Sequence, residues 1–182
     1  MTPERIEQFG DQLRAKIASK FTASTFLAGF SLTVLTGQIA ILWQADVEVL
    51  SPFFSFSVGA VAGAFFLFVV AVIRLDELTM PKVFWEPWHW KPTETPSDDV
   101  NLRYEDLWKL KSMMVMIWLR LTIPATFISA VALVAMLIPS KLALGFTVSV
   151  PDSRMWAPIA VVVSSAIAAV YCYCAAKPFR PD

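Results

Sequence analysis

Charged residues are scarce in this 182-residue chain, and they are missing from long stretches of it. Asp, Glu, Lys and Arg make up 16% of the residues and apolar types 57%. An ordinary soluble domain has roughly 25% charged residues. Four long stretches contain at most one charged residue each. This pattern excludes an ordinary soluble domain and predicts an integral membrane protein. Its expected partner is the lipid bilayer in which it is embedded.

Histidine and cysteine are too few to build the common catalytic or metal centres. The single histidine, His89, cannot supply a bis-histidine haem or a histidine-rich metal site within one chain. Cys172 and Cys174 lie two residues apart, so on a helix they point to nearly opposite faces and cannot form a disulfide. The chain also lacks a Gly-rich phosphate loop and a nucleophile motif. We therefore expect no enzymatic activity, no cofactor and no metal site.

Net charge is balanced, with 15 basic and 15 acidic residues. A polyanion-binding domain normally carries a basic excess, because affinity for nucleic acid comes largely from neutralising phosphates. We therefore expect no nucleic-acid partner.

The four apolar stretches are long enough to cross the hydrocarbon core, which takes about 20 helical residues. They must be helical, because backbone N–H and C=O groups in lipid have to be satisfied internally. The expected fold class is all-α, a polytopic membrane protein with a four-transmembrane-helix bundle and cytoplasmic helical extensions. One membrane domain covers residues 1–182. Its expected parts are an amphipathic helix at 1–20, spans at 21–43, 52–73, 113–138 and 156–176, a loop and helix at 74–112, and a tail at 177–182.

The basic residues predict the orientation of these spans. Twelve of them lie in the two termini and the central segment, whereas only Lys141 and Arg154 lie in the loops on the other side. By the positive-inside rule, both termini and the central segment face the cytoplasm. The expected location is a bacterial inner membrane.

The central segment contains prolines and three tryptophans, Trp85, Trp88 and Trp90, within a few residues of one another. Prolines exclude a regular helix there, and indole rings so close together are expected to leave bulk water. They form either an interfacial loop on the headgroups or a patch for a cytoplasmic protein partner. A new helix is expected from Ser97-Asp98-Asp99 into the third span, where it can pack against the N-terminal helix.

The first span carries small and hydroxylated residues at intervals of three or four, which form a stripe along one helical face. Its members are Thr22, Thr25, Gly29, Thr33, Thr36, Gly37 and Ala40, with Gln38 near the outer end. Such a face either permits close helix packing or lines a water-filled axis surrounded by copies of this helix. Both interpretations remain open at this stage.

Other small residues predict packing faces elsewhere. Gly59 and Gly63 form a GxxxG pair in the second span, and the fourth span has a similar small face made of Ser164, Ser165, Ala168 and Ala169. Phe66 and Phe68, in the second span, are expected to face lipid.

Arg120 is the one charge inside the third span, at the inner edge of the hydrocarbon. It is expected to extend to lipid phosphates; the alternatives are lining a pore or pairing with Asp76 or Glu77. Pro124 has no N–H for the carbonyl of Arg120 and should kink the helix there. A kink beside a charge makes the two residues candidates for a gate.

Residues 24–30, with the sequence STFLAGF, begin the first of four spans and follow a helical cytoplasmic segment. This stretch resembles the pore helix of the Orai calcium-channel family. The resemblance implies that the first helix lines a central pore and that Gly29 and Phe30 form part of its wall. The acidic ring of that family falls at Gly37, and of its inner basic positions only Arg14 matches. Calcium selectivity is therefore not implied.

Three classes of function remain open. A homo-oligomeric channel or pore agrees with the stripe, the kink and the scarcity of catalytic groups. A non-catalytic membrane subunit of a larger complex agrees with the aromatic central segment. A membrane-acting bacterial defence effector, controlled by a cytoplasmic partner, agrees equally well.

Overall fold

The computed structural model describes residues 3–44, 49–50, 52–79, 99–137 and 148–175. The predicted loop residues Trp85, Trp88 and Trp90 lie outside these ranges.

Four helical segments in the described part of the chain are long and apolar enough to cross a membrane. The all-α, four-helix fold class is therefore confirmed. The helices are α1 (Pro3–Gln44), α2 (Pro52–Glu77), α3 (Asp99–Ile117), which continues through a π-helical turn (Trp118–Thr122) into α4 (Ile123–Leu137), and α5 (Val150–Ala175). A two-residue antiparallel pairing, β1 (Val49–Leu50) with β2 (Val148–Ser149), joins the segments that precede α2 and α5.

Helix α2 lies at the centre of the bundle and contacts α1, α4 and α5. Its side chains are small at many positions, which lets three helices approach it. Ala64 and Ala71 are fully buried and pack with Leu67, Phe68 and Leu121 in one apolar cluster. The central position corrects the expectation that Phe66 and Phe68 face lipid. Phe68 is 1% exposed and Phe66 is half-buried against the same cluster, because α2 has neighbours on several sides.

Helix α1 has 42 residues, so it is about 63 Å long, roughly twice the hydrocarbon thickness. Its first half packs against α3 and the end of α2. Leu13 and Ile17 contact Leu75, Leu78 and Met114 in a second apolar cluster. The amphipathic N-terminal segment therefore continues the first span as one helix and forms, with α3, a helical stalk beyond the apolar spans.

Candidate functional site

The stripe on α1 faces away from the other helices of the bundle. Thr25, Gly29, Thr33 and Gly37 are exposed, whereas Ser24 on the opposite face is completely buried. Thr33 is nine residues from Ser24, which corresponds to about 180° around an α-helix. The helix therefore uses one face to pack on α2, and no described residue of the chain covers the opposite, small and hydroxylated face.

The threonine hydroxyls of this face are satisfied within α1. Each donates to the carbonyl oxygen four residues earlier, at 2.9 to 3.0 Å. The face can therefore lie against another helix without leaving a hydroxyl unpaired, and in water it offers oxygens that accept further hydrogen bonds. The four residues are Thr22, Thr25, Thr33 and Thr36.

The glycines of the stripe add open space to it. A Cβ atom built on Gly29 or Gly37 would meet no atom of the described residues within 4 Å. Packing among the described residues therefore requires glycine at neither position. Any requirement for a small residue at these positions has to come from whatever covers the outward face.

Gln38 does not belong to the stripe, in contrast to the sequence-based expectation. It is 1% exposed, and its Nε2 donates to Ser57 Oγ at 2.8 Å. Ser57 Oγ in turn donates to the carbonyl oxygen of Ala132 at 2.8 Å. Five residues separate Gln38 from Thr33, which is about 140° around the helix. Gln38 therefore points into the bundle and connects α1, α2 and α4.

Gly59 and Gly63 lie against α5. A Cβ atom on Gly59 would be 2.9 Å from both Cβ and O of Ala160, and one on Gly63 would be 3.4 Å from Ser164. The contacting side of α5 carries Ala160 and Ser164, of which Ser164 belongs to the predicted small face, and Ala168 of that face is buried as well. Ala169 is exposed and Ser165 half-buried. Small side chains on both α2 and α5 permit this close approach. Because α5 has small residues on more than one side, the sequence alone does not indicate which side contacts α2.

Arg120 binds the end of a neighbouring helix and not an acidic side chain. Its Nη1 donates to the carbonyl oxygen of Ala175 at 3.0 Å, while Glu77 pairs with Arg74 at 2.9 Å. The exposed Asp76 uses its carbonyl oxygen to accept the hydroxyl of Thr79. The guanidinium therefore neutralises the partial negative charge at the C-terminus of α5.

Arg154 makes the corresponding contact at the other end of the bundle. Its Nε donates to the carbonyl oxygen of Leu42, near the C-terminus of α1, at 2.7 Å. The guanidinium carbon lies 5.7 Å from the ring centroid of Trp43. This role was missed from sequence, where Arg154 indicated only orientation, because a side chain that caps another helix leaves no local pattern.

A π-helical turn precedes Pro124, and the carbonyl of Arg120 in this turn accepts a hydrogen bond from a side chain of α5. Proline has no N–H to donate to the carbonyl of Arg120. The hydroxyl of Tyr171 donates to that carbonyl at 2.8 Å instead. The turn at Trp118–Thr122 closes with the N–H of Ile123 on the carbonyl of Trp118. Tyr171 and Arg120 are 51 residues apart, so this contact is a second one that no local sequence pattern indicates.

We expect the contribution of Tyr171 to depend on Pro124. Tyr171→Phe should lower the free energy of unfolding by about 1 kcal/mol, because it removes the donor for the Arg120 carbonyl. In a Pro124→Ala background the chain regains an N–H, so the same change should cost clearly less. Denaturant titration of the four proteins of this double-mutant cycle measures the difference. The control is Tyr173→Phe at an exposed position; equal Tyr171→Phe costs in both backgrounds would contradict the assignment.

Within the described ranges, no group of three or more His, Cys, Asp or Glu side chains could hold a metal ion. Cys172 is half-buried, Cys174 is exposed, and both are free thiols. Comparisons with protein-family models, curated proteins and solved structures gave no match.

Proposed function

We propose that this chain is the subunit of a homo-oligomeric membrane channel in which the outward face of α1 lies near the central axis. The observation that carries this proposal is the exposure of the stripe opposite the face that packs on α2. A helix that met only lipid there would gain nothing from threonine and glycine. Identical copies arranged around an axis would bring these small, hydroxylated faces together.

The two outermost helices differ in the chemistry of their outward faces. Helix α5 exposes bulky aliphatic side chains, which suit lipid. Helix α1 exposes threonine and glycine along its stripe, and its exposed bulky residues Phe26, Phe30, Leu32 and Ile39 lie around that stripe. This contrast supports an arrangement with α1 towards the axis and α5 towards lipid. The exposed aliphatic residues of α5 include Ile159, Val162, Val163, Ile167 and Val170.

The order of the helices agrees with that arrangement. Both α1 and α5 make most of their contacts with α2, and few with each other. Helix α2 therefore separates α1 from α5. Counted outwards from the proposed axis, the first layer is α1, the second is α2 with α4, and the third is α5. We further propose that the termini and the stalk are cytoplasmic and that the membrane is a bacterial inner membrane, on the basis of the basic residues.

Cysteine accessibility tests the position of the stripe. In a Cys172→Ala, Cys174→Ala background, single cysteines at Gly29, Thr33 and Gly37 should react with a water-soluble thiol reagent in bilayers. Cysteines at Ala28 and Leu35 should react much more slowly, because Ala28 is buried and Leu35 packs against the apolar cluster of Leu42, Phe54 and Val58. Thiolates form only where water is present, so the reaction rate reports hydration.

Conductance provides the functional measurement. Thr33→Asp should change the current through the reconstituted protein. The particle mass of the same variant, measured in mild detergent, should remain that of a ring of identical subunits. A monomeric particle, or equal reaction rates at Gly29 and Ala28, would contradict the channel proposal.

A second candidate is a subunit or effector whose stalk binds a cytoplasmic protein. Trp108, on α3, is 47% exposed, and its ring lies 6.3 Å from that of Phe9. The ammonium of Lys111 stacks over the Trp108 ring at 4.2 Å. An aromatic and basic surface of this kind is common at protein interfaces. Under this candidate, the particle mass would include a different protein and α1 would be unreactive to the thiol reagent.

A further inference from the structure

Lys20 on α1 and Trp118 in the π-helical turn form a contact whose N–H donors have no acceptor among the described residues. The ammonium Nζ of Lys20 lies 3.8 Å from the centroid of the Trp118 ring, and both side chains are half-buried. Within the described ranges, neither side chain makes a hydrogen bond or an ion pair. The ring face covers one side of the ammonium, and the indole Nε1–H is itself a donor. The contact therefore presents several N–H groups, with a positive charge, to an anionic acceptor.

This contact lies at the depth of the lipid headgroups. Lys20 and Trp43 are about 35 Å apart along the axis of α1, whereas the hydrocarbon core is about 30 Å thick. Trp43 is 71% exposed and ends the apolar span, as interfacial tryptophans do. With Trp43 at one interface, Lys20 lies just beyond the hydrocarbon at the other. The exposed Tyr173 marks the same depth on α5, because the nearby Ala175 binds Arg120 in the π-helical turn. We call the lipid layer on this side, from which the stalk projects, the stalk-side leaflet.

The two segments that form the contact carry charges of one sign near the membrane. From residue 12 to the end of α1, and from residue 107 to the end of α4, each segment has three basic residues and no acidic one. The end of α2 adds Arg74, which is paired with Glu77, and the exposed Asp76, so the net charge of these described segments is positive. Basic segments beside a span attract anionic lipids, whereas a zwitterionic headgroup adds a cation that they repel. The basic residues are Arg14, Lys16 and Lys20 on α1, and Lys109, Lys111 and Arg120 on the other segment.

We propose that Lys20 and Trp118 bind the phosphate of an anionic phospholipid of the stalk-side leaflet. The phosphate oxygens accept hydrogen bonds from the Lys20 ammonium and from the indole N–H of Trp118, and the acyl chains remain in the bilayer. A hydrogen bond between two charged groups is stronger than one with a neutral donor, so the lysine provides most of the affinity. Both residues belong to one chain, so the site does not depend on oligomer formation. Failure of the channel proposal would leave it unchanged, and the reverse is also true.

Native mass spectrometry of the full chain in mild detergent measures this binding one lipid at a time. The probes are a phosphatidylglycerol, which is anionic, and a phosphatidylcholine with the same acyl chains. The wild type should bind the first phosphatidylglycerol per subunit several-fold more tightly than the phosphatidylcholine. Lys20→Ala should remove most of this preference, and Lys20→Arg should keep it. Trp118→Phe retains the ring but has no N–H, so it should weaken phosphatidylglycerol binding by about tenfold, the value of one hydrogen bond to a charged group.

Lys16→Ala is the matched control, because Lys16 is exposed and lies one helical turn farther from the membrane on α1. It removes the same charge and should keep the preference for phosphatidylglycerol. Thermal unfolding gives a second measurement: Lys16→Ala and Lys20→Ala should have similar midpoints in phosphatidylcholine, and added phosphatidylglycerol should raise only that of Lys16→Ala. Inorganic phosphate should not displace the lipid more than chloride of equal ionic strength does. Equal wild-type affinities for the two lipids, equal losses in Lys16→Ala and Lys20→Ala, or displacement by inorganic phosphate would overturn the proposal.

Discussion

Gly59→Leu should disrupt the packing of α2 on α5 and reduce the free energy of unfolding by about 3 kcal/mol or more. A Cβ atom alone at this position would lie 2.9 Å from the Cβ and backbone oxygen of Ala160. Leucine adds three further carbon atoms to that contact. Because one of the opposing atoms belongs to the backbone, relief requires separation of the two helices. Denaturant titration in detergent measures the loss.

A graded series tests this explanation. Gly59→Ala should already destabilise the bundle, whereas Gly63→Ala should be nearly neutral, since its Cβ would be 3.4 Å from Ser164. Phe56→Leu, at an exposed position on α2, is the matched control and should have little effect. The control outcome compares the free energies of unfolding of three variants. If Gly59→Leu and Gly63→Leu destabilised the protein as little as Phe56→Leu, this face of α2 would not pack on α5.

Phe68→Ala should cost about 3–5 kcal/mol, as expected for a large aromatic side chain removed from a core. Phe68 is 1% exposed and packs in a cluster with Ala28, Ala64, Ala125 and other small or aliphatic residues. Alanine side chains have no rotamers that could fill the space left behind, so a cavity should persist. The same titration applies, and Phe68→Leu should recover most of the loss.

Phe127→Ala is the control for this substitution. Phe127 is on α4 and is 70% exposed, so its truncation creates no internal cavity. If Phe68→Ala and Phe127→Ala had similar small effects, Phe68 would not be part of the core.

Much of the fold was predictable because it depends on properties local to each segment. A stretch of about 20 apolar residues in lipid must be helical to satisfy its own backbone, so composition alone predicts the spans. In the amphipathic helix predicted at residues 1–20, Leu13 and Ile17 are buried against α3 and α2, and Ile6 is buried as well. In the stalk, water on one side makes the polar and apolar faces differ.

The amino-acid sequence by itself determined the number of helices, the stripe on α1 and the absence of any N–H at Pro124. Only the tertiary structure decided that α2 is central, that Phe68 is buried, that Gln38 points inward, and that Arg120 binds the end of α5. The physical reason is that lipid and core are both apolar, so hydrophobicity does not separate a lipid-facing from a buried face. Partners such as Tyr171 for the Arg120 carbonyl come from a distant segment, and no local spacing specifies them.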